Sequence, residues 1–103
     1  MRAPEETAKR KAIMQALRQE ERDQIRLSLP ISPELMRSLF DFVHEELSRV
    51  ECDNRLTHTL AFLGHALPVD AVVKWLEDAG GFCDCEVLAN SEEKFRFAFP
   101  EGD

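Results

Sequence analysis

The residues with chemistry to offer are Cys52, His58, Cys83 and Cys85. Cys83 and Cys85 sit one residue apart in GGFCDCEVLAN, residues 80–90, directly after Gly80 and Gly81. Cys52 opens the stretch CDNRLTHTL, which carries His58. Three thiolates and one imidazole are a tetrahedral Cys3His set of the kind that holds structural zinc. The spacing asks for help from the fold. A C-x-C pair in a strand aims both thiols to one face, and the two glycines permit the sharp turn that converges them. A bent segment must likewise bring His58 toward Cys52. His65 lies about 10.5 Å from His58 along a helix, beyond reach of one shared metal. The same thiols have other uses. Free cysteines serve as small buried apolar groups, and Cys83 or Cys85 is a nucleophile or redox thiol where a base lies within hydrogen-bond reach. Asp84 and Glu86 beside them disfavour the thiolate and blunt that chemistry. No Gly-rich phosphate loop, G-x-S-x-G or H-E-x-x-H occurs, so no catalytic residue is assigned.

The composition frames this chemistry. With 103 residues, 44% hydrophobic and 32% charged, the chain reads as a soluble globular protein of single-domain size. No run reaches the ~18 apolar residues of a membrane span, and the N-terminus lacks an apolar signal core, so a cytoplasmic location is expected. There thiols more often bind metal, react or stay buried than form disulfides, and an odd count of three suits a disulfide framework poorly. The net charge is −7, unevenly spread: residues 1–26 carry seven basic against five acidic side chains, the remainder six against fifteen. An acidic body repels phosphate, which argues against nucleic acid as a partner.

The elements that must position the cysteines follow from periodicity and punctuation. Pro4-Glu5-Glu6 suits a helix start, and residues to about Arg26 are strong helix formers. Their apolar stripe, including Ile13 and Leu17, is narrow, which predicts a helix that packs on another helix, of its own chain or of a protein partner or second copy. Residues 1–30 are read as an N-terminal helical extension and 31–103 as a single α+β domain. Ser32-Pro33-Glu34 starts a second helix with Met36, Leu39, Phe40, Val43, Leu47 and Val50 on one face. Asp53 or Asn54 caps a third, with Leu56, Leu60, Leu63 and Leu67 as its stripe; on that wheel His58 and His65 point away. Pro68 opens a fourth, with Val69, Val72, Val73 and Leu76 inward, and Gly80 ends it in a left-handed turn. Leu39, Phe40, Val43 and Leu47 are expected to meet Leu60, Leu63, Val73 and Leu76 in the core. Phe95, Phe97 and Phe99 alternate with Arg96 and Ala98, a strand pattern. With Phe82, Cys83, Cys85 and Val87 they predict a small C-terminal β-hairpin around ANSEEK. The expected class is α+β, mostly helical. His44 and Trp75 read as surface and packing residues.

CDNRLTHTLAFL (52–63) and VVKWLEDAGGFCDCEVLAN (72–90) together resemble a small bacterial family catalogued as domain of unknown function 2695. The likeness rests on Cys52-Asp53, Leu56, Thr59, Trp75-Leu76, Gly80-Gly81, the block Cys83-Asp84-Cys85-Glu86-Val87-Leu88, and Asn90. Asn54-Arg55 depart from the pattern. The resemblance brings no activity or cofactor, but it implies that Cys52 and the Cys83–Cys85 block are parts of one unit. The functional expectation is a small non-catalytic interaction or regulatory protein, stabilised by zinc on Cys52, His58, Cys83 and Cys85. The alternative is a thiol-dependent enzyme or redox protein using Cys83 or Cys85.

Overall fold

A computed structural model describes residues 4–100, with side chains from residue 6 onward. Its first element is α1, Pro4–Ser28, rich in helix-forming residues. Residues 6–20 of this helix are exposed throughout, and Ile25 is the first to be buried. Leu29 and Pro30 break it. Ser32 then caps α2, Pro33–Leu47, its hydroxyl accepting the Leu35 amide at 3.2 Å, with Pro33 in the first turn. Met36, Leu39, Phe40 and Val43 form its buried face. The helix stops before Val50, which is half-exposed.

Two short helices follow, α3 (Thr57–Leu63) and α4 (Val69–Asp78). At the end of α4 the Gly80 amide bonds to the Glu77 carbonyl at 2.9 Å and the Gly81 amide to the Leu76 carbonyl at 2.7 Å. Gly80 has φ +92°. This Schellman geometry satisfies the last carbonyls and needs the left-handed conformation that glycine adopts at no steric cost.

The C-terminal region corrects the expected class. Of the described residues 74% are helical, and no strand or sheet occurs among them. In place of a β-hairpin, α5 (Asp84–Glu86) leads through a π-helical turn, Val87–Ser91, into α6, Glu92–Ala98. The buried residues here are Asp84, Val87, Ser91, Phe95 and Ala98. Their spacing of three and four is helical, but two members of the stripe are polar, so an apolar count overlooks it. The alternation of Phe95, Phe97 and Phe99 has another origin. Phe95 is buried against Phe40, ring centroids 5.5 Å apart, and stacks on Phe99 at 4.7 Å. Phe97 and Phe99 lie on the flank of α6 and are roofed by guanidinium groups of α1. Arg22 stands 4.9 Å over the Phe97 ring and Arg26 4.8 Å over Phe99. The same arginines donate to the Phe97 carbonyl at 3.0 Å and the Ala98 carbonyl at 2.6 Å, satisfying carbonyls that a helix C-terminus leaves open.

The α3 face also differs from expectation. Thr59 and Leu63 are buried, whereas Leu60 is 47% exposed. The core therefore receives Leu63 from this helix, joined by Val72, Trp75 and Leu76 of α4, with Val73 only partly buried. Trp75 donates its indole N–H to the Ser28 hydroxyl at 3.2 Å, tying α4 to the end of α1. The body is compact in two dimensions and long in the third, 55 × 26 × 22 Å. A 25-residue helix is about 37 Å long, and α1 is held to the body only through its last turns.

Candidate functional site

The three cysteines meet at the junction of the 49–56 loop with α5. Asp84 makes the junction. Its carboxylate is fully buried and accepts three hydrogen bonds from the start of α3: the His58 amide at 2.9 Å, the Thr59 amide at 3.0 Å and the Thr59 hydroxyl at 2.7 Å. Its own amide donates to the Arg55 carbonyl at 2.9 Å. The N-cap position of α3, Leu56, has no side chain able to cap. An acid from distant sequence thus performs the task expected of Asp53 or Asn54, satisfying orphan amides and facing the positive end of the helix. Asp53 has a local task. It accepts the Thr57 hydroxyl at 2.7 Å and the Arg55 amide at 3.1 Å, bending the loop while Asn54 takes φ +64°. The Thr57 bond is the main reason that the Asp53 carboxyl sits below its ordinary pKa.

Because Asp84 is pinned, its neighbours are placed beside the loop. The Cys85 amide lies 3.5 Å from Cys52 Sγ and donates to it. The Cys83 and Cys85 side chains lie near enough to Cys52 for the three thiols to influence one another. Cys52 and Cys83 are half-buried and Cys85 is exposed. Burial pushes the Cys52 thiol up. Hydrogen bonds from the Cys85 and Asn54 amides and from the two neighbouring thiols outweigh it, and hold Cys52 below the usual thiol value. The other two move the opposite way. Cys85 is pushed up to about 11, first by donating its proton to Cys52, then by burial and by the nearby negative charge of Cys52, Cys83 and Asp84. A backbone hydrogen bond from Glu86 draws Cys83 down, but burial and its position beside Cys52 and Glu86 raise it overall. The three thiols are shifted unequally: Cys52 toward the thiolate, Cys83 and Cys85 away from it.

His58 is placed differently from the thiols. Its amide serves Asp84, while its ring Nδ1 stands 3.9 Å from a Glu46 carboxylate oxygen of α2. Among the described residues no group of three or more His, Cys, Asp and Glu side chains is arranged to hold a metal ion. His65 is exposed, and His44 contacts Glu92 at 2.8 Å. The participants that sequence reasoning missed are Asp84 as a cap and Thr59 as its partner. Their types are common in turns and caps, but a pairing across 25 residues leaves no local signature.

The loop and the α5 block that form this junction fall within one region of homology. The profile of the family described as "Protein of unknown function (DUF2695)" matches residues 39–90. The chain belongs to this family. The DUF2695 match spans α2 from Leu39 through Asn90 and so contains Cys52, Asp84 and both other thiols. Curated relatives extend the likeness further. Uncharacterized protein Mb2294 of Mycobacterium bovis and uncharacterized protein Rv2271 of Mycobacterium tuberculosis are each 29% identical to the chain over 98 residues, covering 94% of it and 99% of themselves. No solved structure matches the chain. Among the described residues no helix is long and apolar enough to cross a membrane.

Proposed function

We propose that the protein is a small non-catalytic regulatory protein whose responsive element is the Cys52, Cys83 and Cys85 cluster, acting as a thiol redox switch. The observation that carries this is the donation of the Cys85 amide to Cys52 Sγ at 3.5 Å, with Cys83 and Cys85 beside it. It favours Cys52 as the reactive thiol over Cys83 and Cys85, which Cys52 itself, burial and the neighbouring acids shift away from the thiolate. The oxidant is a hydroperoxide. The Cys52 thiolate attacks its distal oxygen, an S–O bond forms, the O–O bond breaks, and the alkoxide or hydroxide leaves and takes a proton. Cys52 is then a sulfenic acid and no longer a negatively charged acceptor. The main cause of the high Cys85 pKa is thereby removed. Cys85 sulfur attacks Cys52 sulfur, an S–S bond forms, and the hydroxyl leaves as water with the Cys85 proton. The bond links the loop before α3 to α5, beside the Asp84 cap, so oxidation stiffens the junction of the two elements.

The test is titration of the reduced protein with hydrogen peroxide, followed by peptide mapping. A Cys52–Cys85 disulfide is expected, with sulfenic acid trapped at position 52 when Cys85 is replaced by Ser. Oxidation spread evenly over the three thiols, or slower than that of a free thiol, overturns the reading. A second reading is zinc held by Cys52, Cys83 and Cys85 with His58 as fourth ligand; it requires these side chains to rearrange, since as they stand no such group among the described residues is arranged to hold a metal ion. Stoichiometric zinc in protein purified without chelator, lost on replacing His58 by Ala, would favour it over the switch.

A further inference from the structure

The exposed face of α1 has a use that the rest of the fold does not supply. Ile13 is 59% exposed, Leu17 55% and Met14 51%, an unusual cost for a helix that could have buried them. On a helical wheel Ile13 and Leu17 lie within about 40° of each other. The face docked on the body, with Ile25, Arg22 and Arg26, is centred roughly 140° away. The exposed stripe is therefore not a contact that α1 makes within its own chain.

Charge around this stripe is ordered. Lys9 and Arg10 flank its N-terminal side, and Glu20 and Glu21 its C-terminal side. None of the four takes part in an ion pair among the described residues. Lys9 and Glu21 are about 18 Å apart along the helix, too far to meet within one chain. We infer that α1 pairs antiparallel with α1 of a second copy of this chain, Ile13 of each meeting Leu17 of the other.

The two-fold axis then passes level with residue 15. In that single register Ile13 faces Leu17, and on the two flanks Lys9 lies beside Glu20 and Arg10 beside Glu21 of the other copy, each pair occurring twice. No like charges are set opposite one another on either flank. A parallel pair would instead place Lys9 on Lys9 and Glu20 on Glu20. Apolar match and charge match come from one register, so the occupant is a second α1.

The test is the mass of the full chain in solution by sedimentation across a concentration series, with circular dichroism to confirm that each variant remains helical. The wild-type chain is expected to run as a dimer at submillimolar concentration. Leu17→Glu should weaken the dimer at least about tenfold, the loss expected at a central apolar contact. Lys9→Glu with Arg10→Glu should also weaken it. Adding Glu20→Lys and Glu21→Lys to that double variant should restore it, because only antiparallel pairing sets these residues opposite each other. A monomeric wild-type chain overturns the inference. So does a dimer indifferent to Leu17→Glu, and so does a fourfold variant no tighter than the double one.

Discussion

At the scale of single residues the site is governed by which atom carries charge. Cys52 accepts hydrogen bonds and Cys85 donates one, so their titrations separate in opposite directions. Alkylation reads the thiolate, which exists above the pKa of each group. The rate at Cys52 should therefore rise through an inflection below that of an ordinary thiol. Labelling of Cys85 should reach its inflection only near 11. Site-resolved labelling as a function of pH checks both, and coincident inflections would refute the assignment. Asp84 has a structural weight of its own. Replacing it with Ala leaves two buried amides and a hydroxyl without an acceptor, and should cost ~2–4 kcal/mol in chemical denaturation. Asp84→Asn retains one carbonyl oxygen for Thr59 and should lose roughly half as much.

At the scale of elements, burial decides which substitutions matter. Leu63→Ala removes a fully buried side chain and should cost ~2–5 kcal/mol. Leu60→Ala, one turn earlier on the same helix, should cost less than about 1 kcal/mol, as exposed substitutions do. The contrast, measured by urea unfolding, tests the rotation of α3 about its axis. The turn after α4 admits a second test. A Cβ on Gly81 would collide with the Ser91 hydroxyl oxygen and press on the Leu76 carbonyl and a Val87 methyl. The Ser91 hydroxyl also donates to the Leu76 carbonyl at 3.0 Å, so it has no free direction in which to yield. Gly81→Ala should destabilise by ~1–3 kcal/mol, the range for overpacking a tight site.

At the scale of the whole molecule, α1 is a lever fixed at one end. Arg22 and Arg26 bind it to α6 through two carbonyls and two aromatic rings, and Trp75 holds its last turn through Ser28. Replacing both arginines with Ala should remove about 2 kcal/mol or more of stability. It should also speed amide exchange at the end of α6, where the open carbonyls sit, while α2 and α4 stay protected. Uniform loss of protection across all helices would mean that α1 is part of the main core.

The amphipathic pattern of α2, its Ser32 cap, the helix-forming run of α1, the glycine stop after α4 and the unity of Cys52 with the Cys83–Cys85 block were legible in the chain alone. Each depends on neighbours within a few residues, or on a motif that the family repeats. The C-terminal helix was not. Its buried stripe includes Asp84 and Ser91, polar groups whose burial is stabilised only by partners in α3 and α4, while three alternating phenylalanines imitate a strand. Phe95 is buried against Phe40, and Phe97 and Phe99 are covered by the arginines of α1. Likewise the inward turn of Leu63 over Leu60, the cap given to α3 by Asp84 and the pairing of His58 with Glu46 are contacts between distant segments. Periodicity records the face that an isolated helix could bury; packing against the other helices, and the need to satisfy every buried polar group, decided which face was buried.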